Sequence, residues 1–261
     1  IGAPVCTGAN EGNCSVNRKA DLIVFTRCVA DKKLVTNNQL WYSSKKGTGW
    51  GDPKKVEFCL DSFKYAAPCI SGDGQVLFFC SNYKGGQGGN DIWMSKWDKK
   101  GSKWGDPVNL GPTINTPGEE VWPFIHEDGT LYFSSDGHLG MGGLDIFKAQ
   151  KMGEDKWANV TNMKYPINSA ADDFGIIFEG KKERGFLSSN REGTKGADDI
   201  WYFVMPPLLF TLDGVVKDCK NGEVIPDLTI KLVGSDGSSV ETKTDKAGHY
   251  LFAENGPDRY I

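Results

Sequence analysis

The chain has 261 residues, among them 33 glycines and 12 prolines, and its formal net charge is −4. Its lysines and arginines are scattered rather than gathered in a basic stripe, so we expect no nucleic acid partner. No apolar run reaches the roughly 18 residues that a membrane span needs, so we expect none. The many turn-forming residues predict an all-β protein. Because the chain begins with Ile1 and shows no signal-peptide pattern, we expect a mature chain or a fragment.

Three glycine-rich segments recur along the chain at equal intervals. They are SNYKGGQGGNDIW from Ser81, SDGHLGMGGLDIF from Ser135 and SNREGTKGADDIW from Ser189. A tryptophan follows each corresponding strand at nearly the same interval, at Trp50, Trp104 and Trp157. Each unit is predicted to form four short strands, with Asp-Gly turns that favour hairpins. Four-stranded units of about 50 residues predict a small β-propeller.

The units predict four blades, over residues 4–60, 61–115, 116–167 and 168–208, and a fifth blade stays open. The fourth unit lacks a fourth strand, so we expect the ring to close with a strand borrowed from elsewhere or supplied from outside this chain. After about Leu208 the strands alternate with period two and predict a truncated β-sandwich. We therefore expect a propeller over 1–207 and a sandwich over 208–261, with Pro206-Pro207 as a stiff hinge.

An aspartate opens the third strand of three units, with a glycine three residues before it. We predict that the aspartates accept backbone N–H bonds across the turn and that the glycines permit positive φ, which are folding roles. These structural repeat residues are Asp91, Asp145, Asp199, Gly88, Gly142 and Gly196. His138 is predicted to be incidental, because Lys84 and Glu192 replace it in the sister loops.

Paired carboxylates precede the innermost strands of the third and fourth units, near the expected central channel. Such groups could form a glycosidase acid/base pair, bind a cation or a partner, or only cap loop N–H groups. Trp97 and Trp122 break the period of the other tryptophans, which are expected to be core residues. The candidate partner or ligand face therefore consists of Glu119, Glu120, Asp172, Asp173, Trp122 and Trp97.

Other chemistry is not indicated by the sequence. There is no G-x-S-x-G elbow, and the three histidines share no metal-ligand spacing, so we expect no catalytic residue, no metal and no cofactor. The seven cysteines lack a C-x-x-C pair. A disulfide between Cys69 and Cys80, or between Cys6 and Cys14, stays open, with buried free thiols favoured.

The repeat S-[ND]-x-x-G-x-x-G-[GA]-x-D-I-[WF], with INT or INS and DG-x-LYFSS around it, resembles the PD40 (WD40-like, TolB-related) propeller repeat. Residues 209–261 resemble the carboxypeptidase regulatory-like domain, although IPDLTI departs from the usual Ile-Pro-Gly-Ala turn. Together the two parts are similar to multidomain OmpA-family proteins of Bacteroidetes.

This resemblance implies a periplasmic, outer-membrane-associated scaffold without catalytic activity, in an envelope complex such as the type IX secretion system. Its partners would be other periplasmic or outer-membrane proteins, and peptidoglycan would be bound only by a domain outside this chain. The repeat geometry itself predicts protein–protein contact through the face that carries the glycine-rich loops and the paired carboxylates. Two alternatives stay open: a propeller glycoside hydrolase that uses two of the carboxylates, and a TolB-like propeller that binds a small ligand or cation.

Overall fold

The computed structural model describes residues 1–28, 30–31, 34–35, 37–205, 209–233 and 239–255. Within these residues all regular secondary structure is β-strand, as the composition predicts. No helix in this described part is long and apolar enough to cross a membrane. The chain divides into two compact units, Ile1–Val204 and Met205–Ile261. The predicted hinge at Pro206-Pro207 lies outside the described residues.

Four antiparallel sheets form the first unit and are the four blades of a β-propeller. Blade 1 contains β1 (Asn10–Val16) and β2 (Leu22–Cys28), and after a separate two-stranded hairpin of β3 (Ala30–Asp31) and β4 (Leu34–Val35) it continues with β5 (Gln39–Lys46), β6 (Gly49–Trp50) and β7 (Lys54–Lys55). Blade 2 contains β8 (Tyr65–Ile70), β9 (Val76–Ser81), β10 (Asp91–Asp98), β11 (Lys103–Trp104) and β12 (Val108–Asn109). Blade 3 contains β13 (Glu120–Ile125), β14 (Leu131–Ser135), β15 (Asp145–Gly153) and β16 (Lys156–Asn162). Blade 4 contains β17 (Asp173–Phe178), β18 (Arg184–Ser189) and β19 (Asp199–Val204).

Successive side chains of the second and third strands point to opposite faces of each blade, so a blade can pack against a neighbour on either side. One core lies between blades 2 and 3 and includes Phe78, Cys80, Ile92, Met94, Leu131, Phe133 and Phe147. A second core lies between blades 1 and 2 and includes Val24, Leu40, Tyr42, Leu77, Phe79 and Trp93. The repeated apolar residues of the sequence therefore hold the blades together.

The innermost strand of every blade carries a β-bulge at an equivalent point. The register shifts lie between Gly12 and Cys14, Ala66 and Cys69, Val121 and Phe124, and Phe174 and Ile177. In three blades a bulge residue has positive φ, at Ala67 (44°), Trp122 (56°) and Gly175 (65°). Positive φ strains a bulky residue such as tryptophan, and such bulges redirect side chains next to functional sites.

The outermost strands differ most from the predicted pattern. In blade 2 the fourth strand is two short pieces, β11 and β12, because the intervening Pro107 cannot donate to a ladder. In blade 4 there is no outer strand among the described residues, as the sequence predicts. Its third strand, β19, is therefore an edge strand.

The second unit contains two pairs of antiparallel strands. β20 (Leu209–Val215) pairs with β23 (His249–Asn255), and β21 (Thr229–Val233) pairs with β22 (Ser239–Lys243). In β21, Ile230 and Leu232 alternate with more exposed residues, which is the period-two pattern of the sequence.

Candidate functional site

The repeated aspartates hold the glycine-rich loops, which are defined here as residues 82–90, 136–144 and 190–198. Asp145 is fully buried, and its Oδ2 accepts hydrogen bonds from the backbone N–H groups of Met141 (2.6 Å) and Gly142 (3.0 Å). The equivalent donors are Gln87 and Gly88 to Asp91, and Lys195 to Asp199. Each carboxylate thus closes a turn of its own blade.

The repeated glycines make room for the next blade rather than for positive φ. A Cβ at Gly142 would lie 2.1 Å from the carbonyl oxygen of Ala171, and one at Gly88 would lie 2.4 Å from that of Thr116. None of the three glycines has positive φ, so that expectation is wrong. At Gly196 the nearest atom to such a Cβ would be 3.8 Å away, because no further loop of the described residues packs there.

The second acid of each predicted pair is buried within its own blade. Glu120 is 0% exposed and accepts hydrogen bonds from the Thr116 backbone N–H (2.7 Å) and from the hydroxyls of Thr116 and Ser135 (both 2.6 Å). Asp173 is likewise 0% exposed and accepts from Ser169 and from the guanidinium of Arg191. Neither carboxylate can therefore form part of an exposed face.

Blade 1 repeats this arrangement with residues that the sequence pattern did not reveal. Glu11 accepts from the Thr7 hydroxyl at 2.5 Å and from the Thr7 backbone N–H at 3.3 Å. Arg27 pairs with Glu11 at 2.9 Å. The sequence feature that could have identified Glu11 is the hydroxyl residue four positions before it, as Thr116 precedes Glu120. The adjacent pair of acids is absent from this blade.

The first acid of each pair joins neighbouring blades. Glu119 accepts hydrogen bonds from the backbone N–H (2.9 Å) and side-chain Nδ2 (2.7 Å) of Asn90, which belongs to the glycine-rich loop of blade 2. Asp172 accepts from the backbone N–H of Leu144 (2.9 Å) in the loop of blade 3. These two carboxylates are half-buried and serve as connections between blades.

His138 has a structural role, so the interpretation of this residue as incidental is wrong. Its Nε2 lies 2.8 Å from the carbonyl oxygen of Ile114, and its ring packs against Phe133 and Phe147. In blade 4, Arg191 has the equivalent structural role. It donates a hydrogen bond to the carbonyl oxygen of Ile167 and lies over the ring of Trp201. The two positions differ by one residue in the sequence repeat, which hid the equivalence.

Two buried asparagines clasp the third strands of blades 2 and 3. Asn115 Oδ1 accepts from the backbone N–H of Ile92 (2.7 Å), and its Nδ2 donates to the carbonyl oxygen of the same residue (3.0 Å). Asn168 makes the same two bonds to Ile146, at 2.8 and 2.9 Å. Each clasp asparagine also donates to an asparagine six residues before it, Asn109 or Asn162. The N-x₅-N spacing was therefore the signal in the sequence.

The two tryptophans predicted as contact residues lie in different places. Trp97 packs edge-to-face against Tyr42 and Trp104, with ring centroids 5.9 and 5.3 Å apart, and so helps to join blades 1 and 2. Trp122 lies at a bulge of an innermost strand, and its ring is 5.4 Å from that of Phe174. The structure therefore does not bring Trp97 and Trp122 together.

A cavity of about 430 Å³ lies on the propeller axis, lined by the innermost strands of all four blades. Its walls include Trp122 and the bulge residues of the other blades, and they carry no acidic or basic side chain. The lining residues are Asn13, Cys14, Ser15, Val16, Ala67, Pro68, Cys69, Trp122, Pro123, Phe124, Gly175, Ile176, Ile177, Phe178 and Ser188. The paired carboxylates of the sequence prediction do not enter this cavity.

A second axial cavity of about 510 Å³ is lined by the hairpin turns between first and second strands. Its charged residues include Arg18 and Glu127, which form an ion pair at 3.2 Å. His126 Nδ1 lies 3.0 Å from Asp128 Oδ1. Among the residues that the structure describes, no cluster of three or more histidine, cysteine or acidic side chains could hold a metal ion.

The core thiols are buried and unpaired. Cys59, Cys69 and Cys80 are free, and so are the exposed Cys6, Cys14 and Cys219. Burial raises the pKa of the Cys59 and Cys80 thiols to about 12, because the apolar surroundings disfavour a thiolate. Neither disulfide left open by the sequence is formed.

No known protein family and no curated protein matches the chain by sequence. TolB from Acinetobacter baumannii is a similar solved structure, with a TM-score of 0.51 and 11% identity over 96% of this chain and 56% of that one. A putative TolB from Agrobacterium tumefaciens has a TM-score of 0.49 and 13% identity, over 95% and 75% of the two chains. An endo-arabinase from Bacteroides thetaiotaomicron has a TM-score of 0.46 and 15% identity, over 71% and 72%. The chain is thus similar in fold to TolB propellers, and it spans 56% of the length of the Acinetobacter protein.

Proposed function

We propose that this chain is a non-catalytic protein-interaction module, whose propeller presents the glycine-rich loops to a partner protein. The observation that carries this proposal is the loop of blade 3. Leu139 is 95% exposed and Met141 is 49% exposed, while the base of the same loop is fixed by the buried Asp145. Exposed apolar side chains on a rigid base are typical of contact surfaces, because little conformational entropy is lost on binding.

The state of the carboxylates argues against the glycoside hydrolase alternative. A glycosidase needs two carboxyl groups that face each other across a substrate cleft. Here Glu120 and Asp173 are fully buried, and Glu119 and Asp172 bond to the preceding blade. The axial cavity between the innermost strands has no acidic wall. The hydrogen bonds of these four carboxylates therefore stabilise the propeller, within a blade or between neighbouring blades.

The proposed location is the periplasm, in association with the outer membrane, as part of a secretion or envelope complex such as the type IX system. The support is the resemblance of the repeats to the PD40 propeller, and of 209–261 to the carboxypeptidase regulatory-like domain of OmpA-family proteins. The proposed partners are other periplasmic or outer-membrane proteins. Peptidoglycan would be reached only through a domain outside this chain.

A pull-down from a periplasmic extract tests the contact surface. The double variant Leu139→Asp with Met141→Asp places two charges on the loop of blade 3 and should lose the captured partner. Met152→Asp is the matched control, because Met152 is 62% exposed on the same blade but lies in the hairpin at the other end of β15. Equal capture by the double variant and the wild type would refute the loop as the contact surface. Release of sugar from a polysaccharide by the wild-type protein would refute the non-catalytic assignment.

A further inference from the structure

Blade 4 ends in an edge strand that lacks what completes the third strands of blades 2 and 3. β10 pairs with β11 and β12, and β15 pairs with β16. β19 pairs with β18 only, in the part of the chain that the structure describes. An open edge presents a row of unpaired N–H and C=O groups, which is a template for another strand.

The clasp is missing at the same place. Ile92 and Ile146 are each bonded on both backbone groups by a clasp asparagine, and both are 0% exposed. Ile200 occupies the equivalent position in β19 and is 77% exposed. No asparagine among the described residues bonds to its backbone. The indole N–H of Trp201 beside it is buried and also lacks a hydrogen-bond partner in this part of the chain.

One apolar face of blade 4 is exposed, and it is the equivalent of the face through which blade 2 packs against blade 3. In blade 2 the residues on this face are Phe78, Ile92 and Met94, which are buried against blade 3. Their equivalents in blade 4 are Phe186, Ile200 and Tyr202, which are 43%, 77% and 54% exposed. The equivalent face is therefore covered by the next blade in blade 2, but it is uncovered in blade 4, the last blade of the series.

Among the residues that the structure describes, neither the chain after β19 nor blade 1 fills this position. β20 begins at Leu209, a few residues after β19 ends at Val204, and it pairs with β23 in the second unit. In blade 1 the segment that matches the clasp carries Cys6, which precedes the Thr7–Glu11 pair just as Asn115 precedes Thr116. A cysteine cannot supply both the amide donor and the carbonyl acceptor of the clasp.

We propose that the open edge of blade 4 accepts an extended segment of a partner protein, which adds the missing outer strand and closes on Ile200 with an N-x₅-N clasp. This is strand addition, in which main-chain bonds supply affinity and a few side chains supply specificity. A second copy of the chain is a poor donor, because its two N-x₅-N segments, 109–115 and 162–168, are used by its own blades. This edge is distinct from the loop surface of the proposed function.

One residue of blade 4, Ala197, limits the size of a side chain in the partner segment that would bind this edge. A Cβ at Gly89 would lie 2.1 Å from Oε1 of Glu119, and one at Gly143 would lie 2.1 Å from Oδ1 of Asp172. Ala197 holds the matching position in blade 4, so its own Cβ fills the space used by these carboxylates. The donor segment is therefore expected to carry a small residue where blades 3 and 4 carry Glu119 and Asp172.

A synthetic peptide with the sequence of residues 156–171 is the probe, because this segment forms β16 and contains Asn162 and Asn168 but stops before Asp172. Fluorescence anisotropy of the labelled peptide, titrated with the whole chain, should show saturable 1:1 binding. Amide NMR shifts should be confined to β19 and the loop before it. A peptide with Asn168→Ala loses the two bonds to Ile200 and should bind at least about tenfold more weakly.

The matched protein variants are Ile200→Pro and Ile200→Val. Proline removes the N–H that the clasp asparagine accepts from, and an edge strand tolerates it. Ile200→Pro should therefore abolish binding while keeping the thermal unfolding of the wild type, and Ile200→Val should retain binding. Equal binding of the Asn168→Ala peptide, absence of saturable binding, or shifts outside blade 4 would overturn the proposal, whatever the pull-down shows. A dimer of the chain that the peptide dissociates would also overturn it, by identifying a second copy as the donor.

Discussion

Replacing the clasp asparagine of blade 3 by alanine should destabilise the propeller strongly. Asn168 is 0% exposed, and Asn168→Ala leaves the backbone N–H of Ile146 buried without a partner. It also removes one of the two bonds to the Ile146 carbonyl oxygen, which still accepts from the backbone N–H of Met163 at 3.0 Å. One unsatisfied buried group costs about 1–3 kcal/mol and one lost hydrogen bond about 0.5–1.5 kcal/mol, so the free energy of unfolding should fall by about 2–4 kcal/mol. For a unit of this size, in which 1 kcal/mol shifts Tm by about 2–4 °C, that corresponds to a fall in Tm of roughly 4–16 °C.

Urea unfolding followed by tryptophan fluorescence measures this loss, provided that the transition is two-state. Asn13→Ala is the control, because Asn13 is exposed, and its unfolding free energy should change by no more than about 0.5 kcal/mol. Hydrogen exchange adds a local readout: the Ile146 amide should lose protection more than the amides of blade 1. A loss below about 1 kcal/mol with unchanged Ile146 protection would refute the clasp as an energetic element.

Two further predictions follow from the glycines and the thiols. Gly142→Ala should lower the free energy of unfolding in urea by about 1–3 kcal/mol, because its Cβ would meet the Ala171 carbonyl of the next blade. Gly153→Ala is the control, since a Cβ there has open space and should be nearly neutral. Equal effects of the two substitutions would show that the blades can separate without loss of stability. At pH 8 a thiol reagent should modify Cys219 rapidly but Cys59 and Cys80 only on unfolding, and rapid modification of all would contradict their burial. Because the pKa of these two thiols is raised to about 12 in the folded state, their contribution to stability is present below about pH 9 and is lost as pH rises from there towards 12.

The blade pattern could be predicted from the sequence because the same types of side chain recur at equivalent positions of the units. Apolar alternation places Phe78 and Ile92 in the core between blades, and the Asp-Gly turns fix the hairpins. The missing fourth strand of blade 4 was also visible, since nothing resembling KWGDP follows DIWYFV. These features are local in the chain, so a repeat comparison finds them.

The connections between blades could not be predicted, because they depend on atoms that approach across a gap in the sequence. Glu119 and Glu120 are adjacent in the chain, yet one bonds to Asn90 of the previous blade and the other to Ser135 of its own. Glu120 is the first residue of the innermost strand and Glu119 directly precedes it, and successive residues of an extended chain point in opposite directions. The importance of Gly142 likewise comes from the approach of Ala171, and positive φ is not involved.

The connections through Glu119 and Asp172 run in one direction, since blades 3 and 4 each fasten the loop of the blade before them. Blade 3 is fastened by blade 4, but the loop of blade 4 has no described successor, and the nearest atom to a Cβ at Gly196 would belong to its own loop, at 3.8 Å. Resistance to opening should therefore decrease along the propeller towards β19. Under a pulling force applied through the second unit, blade 4 would detach first, and its departure would release the loop of blade 3. The molecule would then unzip blade by blade, starting at the edge where a donated strand would act as a lock.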